Sequence, residues 1–205
     1  MSKALKIGVL LSGNGSNLQA IIDAINAEKL KAHIVQVISS KPDAYGLTRA
    51  QQAGIPTCSL SKETYQNPSL ANEVIATEFV KAGAEYIVMA GYMRKVTEEI
   101  LSVFPDRVIN IHPALLPAFI GPHAIEDAYH AGVKLTGVTV HFANAEYDKG
   151  PIIAQRSVAI CEDDSLEDLE KRIHKVEHEL YPEVLNLIAQ KRVFVDENRR
   201  VKIMQ

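Results

Sequence analysis

Only two cysteines occur in this chain, Cys58 and Cys161. They form neither a metal-ligand spacing nor a disulfide framework, so a reducing, cytoplasmic setting is the simplest expectation. A basic excess is also missing: 22 Lys and Arg stand against 25 Asp and Glu, a formal net charge of -3. Nucleic-acid binding usually shows as a strong basic excess or stripe, so no nucleic-acid partner is expected. No apolar run approaches the ~18–20 residues of a membrane helix, and no membrane partner is expected either. The opening residues run straight into a strand-like segment, residues 7–11, which leaves no room for a leader peptide. There is no internal repeat, linker or low-complexity segment.

What is present suits one soluble domain over residues 1–205. The hydrophobic content is 47% and the charged content 23%, ordinary values for a globular protein with a real core. Residues 6–11 read as a buried strand ending at Ser12-Gly13. Residues 16–25 follow with apolar positions at helical spacing. A strand over 34–38, helices over 44–53 and 69–82, and a strand over 86–90 continue the alternation. The two helices stop at Gly54 and Gly83, a common C-terminal signal. Such alternation implies an α/β fold with parallel strands and helices on both faces. Later, residues 136–142 and 152–158 look like neighbouring strands joined by a short connection, so the sheet should be mixed but mostly parallel. A long helix starts near Ser165, where Ser165 and Asp168 have capping-box spacing. Tyr181-Pro182 is expected to interrupt it. Residues 193–195 and 201–203 form a terminal hairpin.

Two motifs carry chemistry. In Gly13-Asn14-Gly15-Ser16-Asn17-Leu18, between the first strand and helix, backbone N–H groups and the helix dipole favour an anion. Leu18 stands where a dinucleotide fingerprint needs its third glycine, and no P-loop Gly-Lys-Ser/Thr is present. The loop therefore suits a monophosphate better than NAD or ATP. The bland alternative is a tight turn with an N-capping Ser16. In Asn110-Ile111-His112-Pro113, after the apolar pair Val108-Ile109, the amide and imidazole are two residues apart. They share one side of the strand, next to a ring-locked turn. An Asn amide can donate to a developing oxyanion, a His can donate or shuttle protons, and a carboxylate such as Asp148 can orient that His. This set suits acyl transfer with neither a metal nor a covalent nucleophile.

His174, Glu177 and His178 form H-x-x-E-H, a spacing found in one class of zinc peptidases. No distinct third-ligand motif follows, and two His on a helix surface are commonly just polar residues. Glu177 alone could still meet a substrate amine or hydroxyl. His33, His123, His130 and His141 have no arrangement that lifts them above background.

In order along the chain, the glycine loop, Ser40-Lys41-Pro42-Asp43-Ala44, Met89-Ala90-Gly91-Tyr92-Met93-Arg94, Ile109-Asn110-Ile111-His112-Pro113-Ala114-Leu115-Leu116-Pro117, Gly137-Val138-Thr139-Val140-His141-Phe142 and Asp148-Lys149-Gly150-Pro151-Ile152-Ile153 resemble the glycinamide ribonucleotide formyltransferases. The resemblance covers residues 6–189. It implies a formyltransferase-type fold with a Rossmann-like first half. It also implies formyl transfer from 10-formyltetrahydrofolate, as co-substrate and without a metal, to the amino group of glycinamide ribonucleotide in purine synthesis. By motif position Asn110, His112 and Asp148 are the catalytic trio. Gly15, Ser16, Asn17 and Glu177 contact the ribonucleotide. Met93, Arg94, Lys95 and Val96, Asn110 again, and Ala143, Asn144, Ala145, Glu146 and Tyr147 line the folate pocket. Residues 1–105 become the phosphate-binding half, and residues 106–205 the catalytic and folate-binding half. A monomer or homodimer fits equally. Two stretches depart from the family pattern: residues 61–67 lack an arginine that many relatives carry, and Phe119-Ile120-Gly121 stands where many read Phe-Pro-Gly or Tyr-Pro-Gly. A formyltetrahydrofolate hydrolase shares the Asn/His/Asp arrangement and is the alternative. It usually carries an additional N-terminal domain, and the phosphate loop would then have no substrate. A tRNA formyltransferase would need a further C-terminal domain and a more basic surface.

Overall fold

The structure is a computed structural model that describes residues 3–204. In chain order the elements are β1 (Leu5–Leu11), α1 (Ser16–Asn26), β2 (Ala32–Ser39), α2 (Tyr45–Gln52), β3 (Thr57–Ser59), α3 (Lys62–Gln66), α4 (Pro68–Ala82), β4 (Tyr86–Met89) and α5 (Glu98–Leu101). They continue with β5 (Val108–His112), α6 (Ala124–His130), β6 (Leu135–Phe142), β7 (Ile152–Ala159), α7 (Leu166–Ala189), β8 (Val193–Val195) and β9 (Val201–Ile203).

Seven strands form one sheet in the order β3-β2-β1-β4-β5-β6-β7, and β8 and β9 form the small hairpin. The pairs from β3 to β5 are parallel, while β5–β6 and β6–β7 are antiparallel. The sheet is therefore mixed and mostly parallel, with the Rossmann-like half first. Two apolar layers cover its faces. Ile7, Val9 and Leu11 of β1 meet Leu18, Ile21 and Ile22 of α1 and Tyr181, Val184 and Leu185 of α7. Leu10 of the same strand turns the other way, toward Ile75 and Phe79 of α4. This period-2 division is what a strand covered on both faces requires. Gly8 is needed because a Cβ there would stand 2.4 Å from the Phe79 ring.

The helix ends follow local chemistry. Asn67 caps α4 by accepting from Leu70 N–H, Pro68 occupies its first turn, and Gly83 at φ 73° ends it. At α7 the Ser165–Asp168 capping box is complete. The expected break at Tyr181-Pro182 is not there: α7 continues through Pro182 to Ala189. Proline removes a single N–H from the helix ladder. Tyr181, Val184, Leu185 and Ile188, all buried, hold the helix on the sheet across that gap. Tyr181 adds a tie of its own, its hydroxyl lying 3.0 Å from the carbonyls of both Met89 at the end of β4 and Ile109 near the start of β5. No described helix is long and apolar enough to cross a membrane.

Candidate functional site

The strand at the centre of the site is longer than its apolar start. β5 runs through Asn110 and Ile111 to His112. Ile109 and Ile111 pack into the layer beneath α1 and α7, so alternation turns Asn110 and His112 to the opposite face. Antiparallel pairing sets Asn110 against His141 and His112 against Thr139. Asp148 arrives from the connection between β6 and β7 in a left-handed conformation, φ 54°, which Asp tolerates better than most residues.

These side chains form one network, and both His112 and Asp148 are buried. His112 Nδ1 lies 3.4 Å from Asp148 Oδ2. Asn110 Nδ2 donates to Asp148 Oδ1 at 3.4 Å and meets His141 Nε2 at 3.2 Å. The other His141 nitrogen, Nδ1, lies 2.9 Å from the Phe142 carbonyl and must donate there. Its Nε2 is then the acceptor for Asn110. Burial pushes the His141 pKa down, against opposing contributions from the Phe142 carbonyl and Asp148, and keeps this ring neutral. His141 belongs to the site, contrary to its reading as background. The signal was its register opposite Asn110, which sequence alone does not give.

The divergent turn after Pro117 also belongs here. His112 Nε2 donates to the Phe119 carbonyl at 2.8 Å, and Gly121 N–H donates to Asp148 Oδ2 at 3.3 Å. An acceptor thus faces each nitrogen of His112. Phe119 has φ 51°, an unfavourable region for an aromatic residue.

Two cavities meet at this network. A cleft of about 320 Å³ is lined by residues 13–17, Met93, Asn110, His112, Tyr147, Asp148, His174 and Glu177. A narrow cavity of about 30 Å³ is lined by Arg94, Lys95, Val96, Ala143, Asn144, Glu146 and Tyr147, with Asn110, His141 and Asp148. Tyr92, Asn110, Tyr147 and Asp148 are common to both. Of the residues expected around folate, Met93 lines the larger cleft and Ala145 lines neither cavity. The buried Tyr92 hydroxyl has no partner among the described residues, and burial raises its pKa to about 12, which makes it a neutral donor. Residues 61–67 also reach this wall: Tyr65 stacks under the Arg94 guanidinium at 4.2 Å and accepts from it through its carbonyl. A larger depression of about 820 Å³ lies between α1 and α7 and contains none of the trio. Chemistry, not size, locates the site.

At the far end of the cleft, α1 begins without a side-chain cap. Gly15 is its N-cap at φ 75°, so Ser16 does not cap the helix. Its first-turn N–H groups thus take no side-chain cap, an arrangement that favours an anion. Gly15 lies so close to α2 that an added Cβ would sit 2.6 Å from Gly46 Cα. Asn17 Nδ2 donates to Glu177 Oε2 at 3.2 Å, and the buried Asn17 Oδ1 has no partner among the described residues. His174 Nδ1 donates to the same Glu177 oxygen at 2.9 Å. Among the described residues no group of three or more His, Cys, Asp or Glu is arranged to hold a metal ion, the H-x-x-E-H stretch included.

Known proteins share this fold. The formyl transferase family model matches residues 5–185. A phosphoribosylglycinamide formyltransferase of Bacillus subtilis is 41% identical over 88% of this chain and 92% of its own length. One from Escherichia coli is 39% identical over 95% and 92%. The crystal structure of glycinamide ribonucleotide transformylase 1 from Symbiobacterium toebii superposes with a TM-score of 0.96 at 41% identity, covering 100% of this chain and 96% of that one. Alike in sequence and in fold along nearly its whole length, the chain belongs to the formyl transferase family, among the phosphoribosylglycinamide formyltransferases.

Proposed function

We propose that the network at Asn110, His112 and Asp148 carries the formyl transfer of this family. The chain moves a formyl group from 10-formyltetrahydrofolate to the amino group of glycinamide ribonucleotide, a step of purine biosynthesis. One observation supports this site above all. The amide and the imidazole converge on one carboxylate where the two cavities join. One cavity leads to the uncapped helix start, and the other to the loops around Arg94 and Tyr147.

In this reading the ribonucleotide phosphate sits on the N–H groups of residues 15–17. Glu177 takes a ribose hydroxyl through Oε1, since both its present bonds use Oε2. The folate ring enters between Arg94, Lys95 and Val96 on one side and residues 143–147 on the other. A cavity of about 30 Å³ is far below the ~300–1,000 Å³ of ligand pockets, so residues 143–147 must move outward. The amine nitrogen forms a bond to the formyl carbon, and its oxygen gains the negative charge. His112 and Asn110 donate to that oxygen. Their present contacts to Asp148 are long and yield readily, and the formyl oxygen replaces the Phe119 carbonyl on His112. Asp148 accepts the proton from the amine and, directly or through water, passes it to the folate nitrogen as the carbon–nitrogen bond to tetrahydrofolate breaks.

Glycinamide ribonucleotide and 10-formyltetrahydrofolate mixed with the protein should give formyl transfer. Formate release of equal rate without the ribonucleotide would instead identify a formyltetrahydrofolate hydrolase. The chain is one domain in which residues 1–105 supply the phosphate loop and residues 106–205 the trio. Met93, Arg94, Lys95 and Val96 reach folate from the first half, and Glu177 reaches the ribonucleotide from the second.

A further inference from the structure

The cleft that takes the ribonucleotide has an uneven charge. Its described lining holds two carboxylates, Asp148 and Glu177, and no lysine or arginine. The side chains there able to become cationic are His112, beside Asp148, and His174, beside Glu177. A phosphate monoester carries about -1.5 to -2 charges at pH 7. An uncapped helix start offers only about half a positive charge. The Glu177 carboxylate is buried, so water screens it poorly, and it opposes a dianion bound next to it.

His174 is placed to cancel that charge. It donates to Glu177 Oε2, which also accepts from Asn17 of the phosphate loop, so the three side chains are linked. We propose that protonated His174 balances the charge of the ribonucleotide site, so that affinity for the phosphate weakens as the solution becomes alkaline. This inference rests on the reading of residues 13–17 as a phosphate loop.

The groups around His174 agree with this sign. The hydrogen bond to Glu177 is the largest influence and raises the His174 pKa. Burial opposes it and Glu170 adds to it. His178 stacks on the His174 ring with centroids 6.4 Å apart, and burial pushes its own pKa down. Arg49 of α2 acts on His178 in the same direction. From α1 come Ser16 and Asn17, both neutral, and across the cleft stand His112 and Asp148. A raised pKa means that the proton is kept below that value and lost above it. A bound dianion favours the protonated ring, so affinity is full at the lower pH and falls at the higher.

Ribose 5-phosphate is a suitable probe, because it carries the phosphate without the titrating amine. Its dissociation constant from the intact protein is measured by calorimetry between about pH 7 and 9, where the phosphate stays dianionic. The wild-type constant should weaken roughly tenfold, the equivalent of one pKa unit. His174→Gln should bind weakly with no slope. His174→Lys should bind tightly with no slope, since lysine keeps its charge across this range. A flat wild-type profile overturns the inference and leaves the phosphate loop standing, and so does a His174→Gln protein that keeps the wild-type slope. If wild-type protein does not bind ribose 5-phosphate at any pH, the phosphate loop fails and the inference with it.

Discussion

Asn110 spends both of its amide protons in the resting site, one on Asp148 and one on His141. His141 thereby acts as a positioning residue: its neutral ring fixes which way the amide faces. The formyl oxygen gains charge only as the tetrahedral species forms, so donors aimed at it favour the transition state over the ground state. Asn110→Ala and His112→Ala should each lower kcat ~10²–10³-fold, about 2.7–4 kcal/mol, with little change in ribonucleotide affinity. Asp148→Asn keeps the shape and removes the charge beside His112, so it should be comparably impaired. The double variants should lose less than the product of the single losses, because the three groups act on one intermediate. Steady-state kinetics on folded proteins checks this. Near-wild-type turnover by both Asp148→Asn and His112→Ala would sink the assignment.

The elements show why the trio was legible in the sequence and its surroundings were not. Asn110 and His112 are two apart on one strand, and that period alone puts them on one side. The glycine loop sits between a readable strand and a readable helix. His141 entered through strand register, and Phe119 and Gly121 through a turn with positive φ. Neither depends on local residue pattern. Pro182 misled for a related reason, since the packing of α7 on the sheet outweighs one missing hydrogen bond. Two predictions belong at this scale. Gly15→Ala forces a Cβ toward Gly46 and strains a left-handed backbone, which displaces the N–H groups at the start of α1. The ribonucleotide KM should rise at least several-fold more than the folate KM, and equal rises would argue against the phosphate loop. The second concerns the entry to α7. Arg172 holds Asp164 through two bonds of 2.7 Å, and Cys161 N–H adds a third. Together they hold the Asp164 pKa down to about 2. A depressed carboxyl pKa contributes stability above the unfolded value of about 4 and loses it as pH falls toward 2. Asp164→Asn should melt at a lower temperature than wild type near pH 7. That gap should close between about pH 4 and 2, and an unchanged gap in thermal melts across this range would refute it.

On the scale of the whole molecule, the mixed sheet dictates the order of events. In the parallel half β1 leads into the glycine loop, residues 13–17, and β4 leads into residues 90–94. The antiparallel half returns β6 and β7 so that Asp148 closes the site from the other side. Tyr92, Asn110, Tyr147 and Asp148 therefore form a wall shared by both cavities. In the proposed mechanism no side chain carries the formyl group between two half-reactions. The amine attacks the formyl carbon directly, with both substrates bound together. Initial rates measured against one substrate at several fixed levels of the other should give intersecting double-reciprocal lines. A compound that joins a folate-like ring to a glycinamide ribonucleotide should bind far more tightly than either half, because linking the halves removes one association entropy. Parallel lines, together with trapped formyl-protein after incubation with 10-formyltetrahydrofolate alone, would mean that the two cavities serve successive reactions, and direct transfer across their common wall would have to be abandoned.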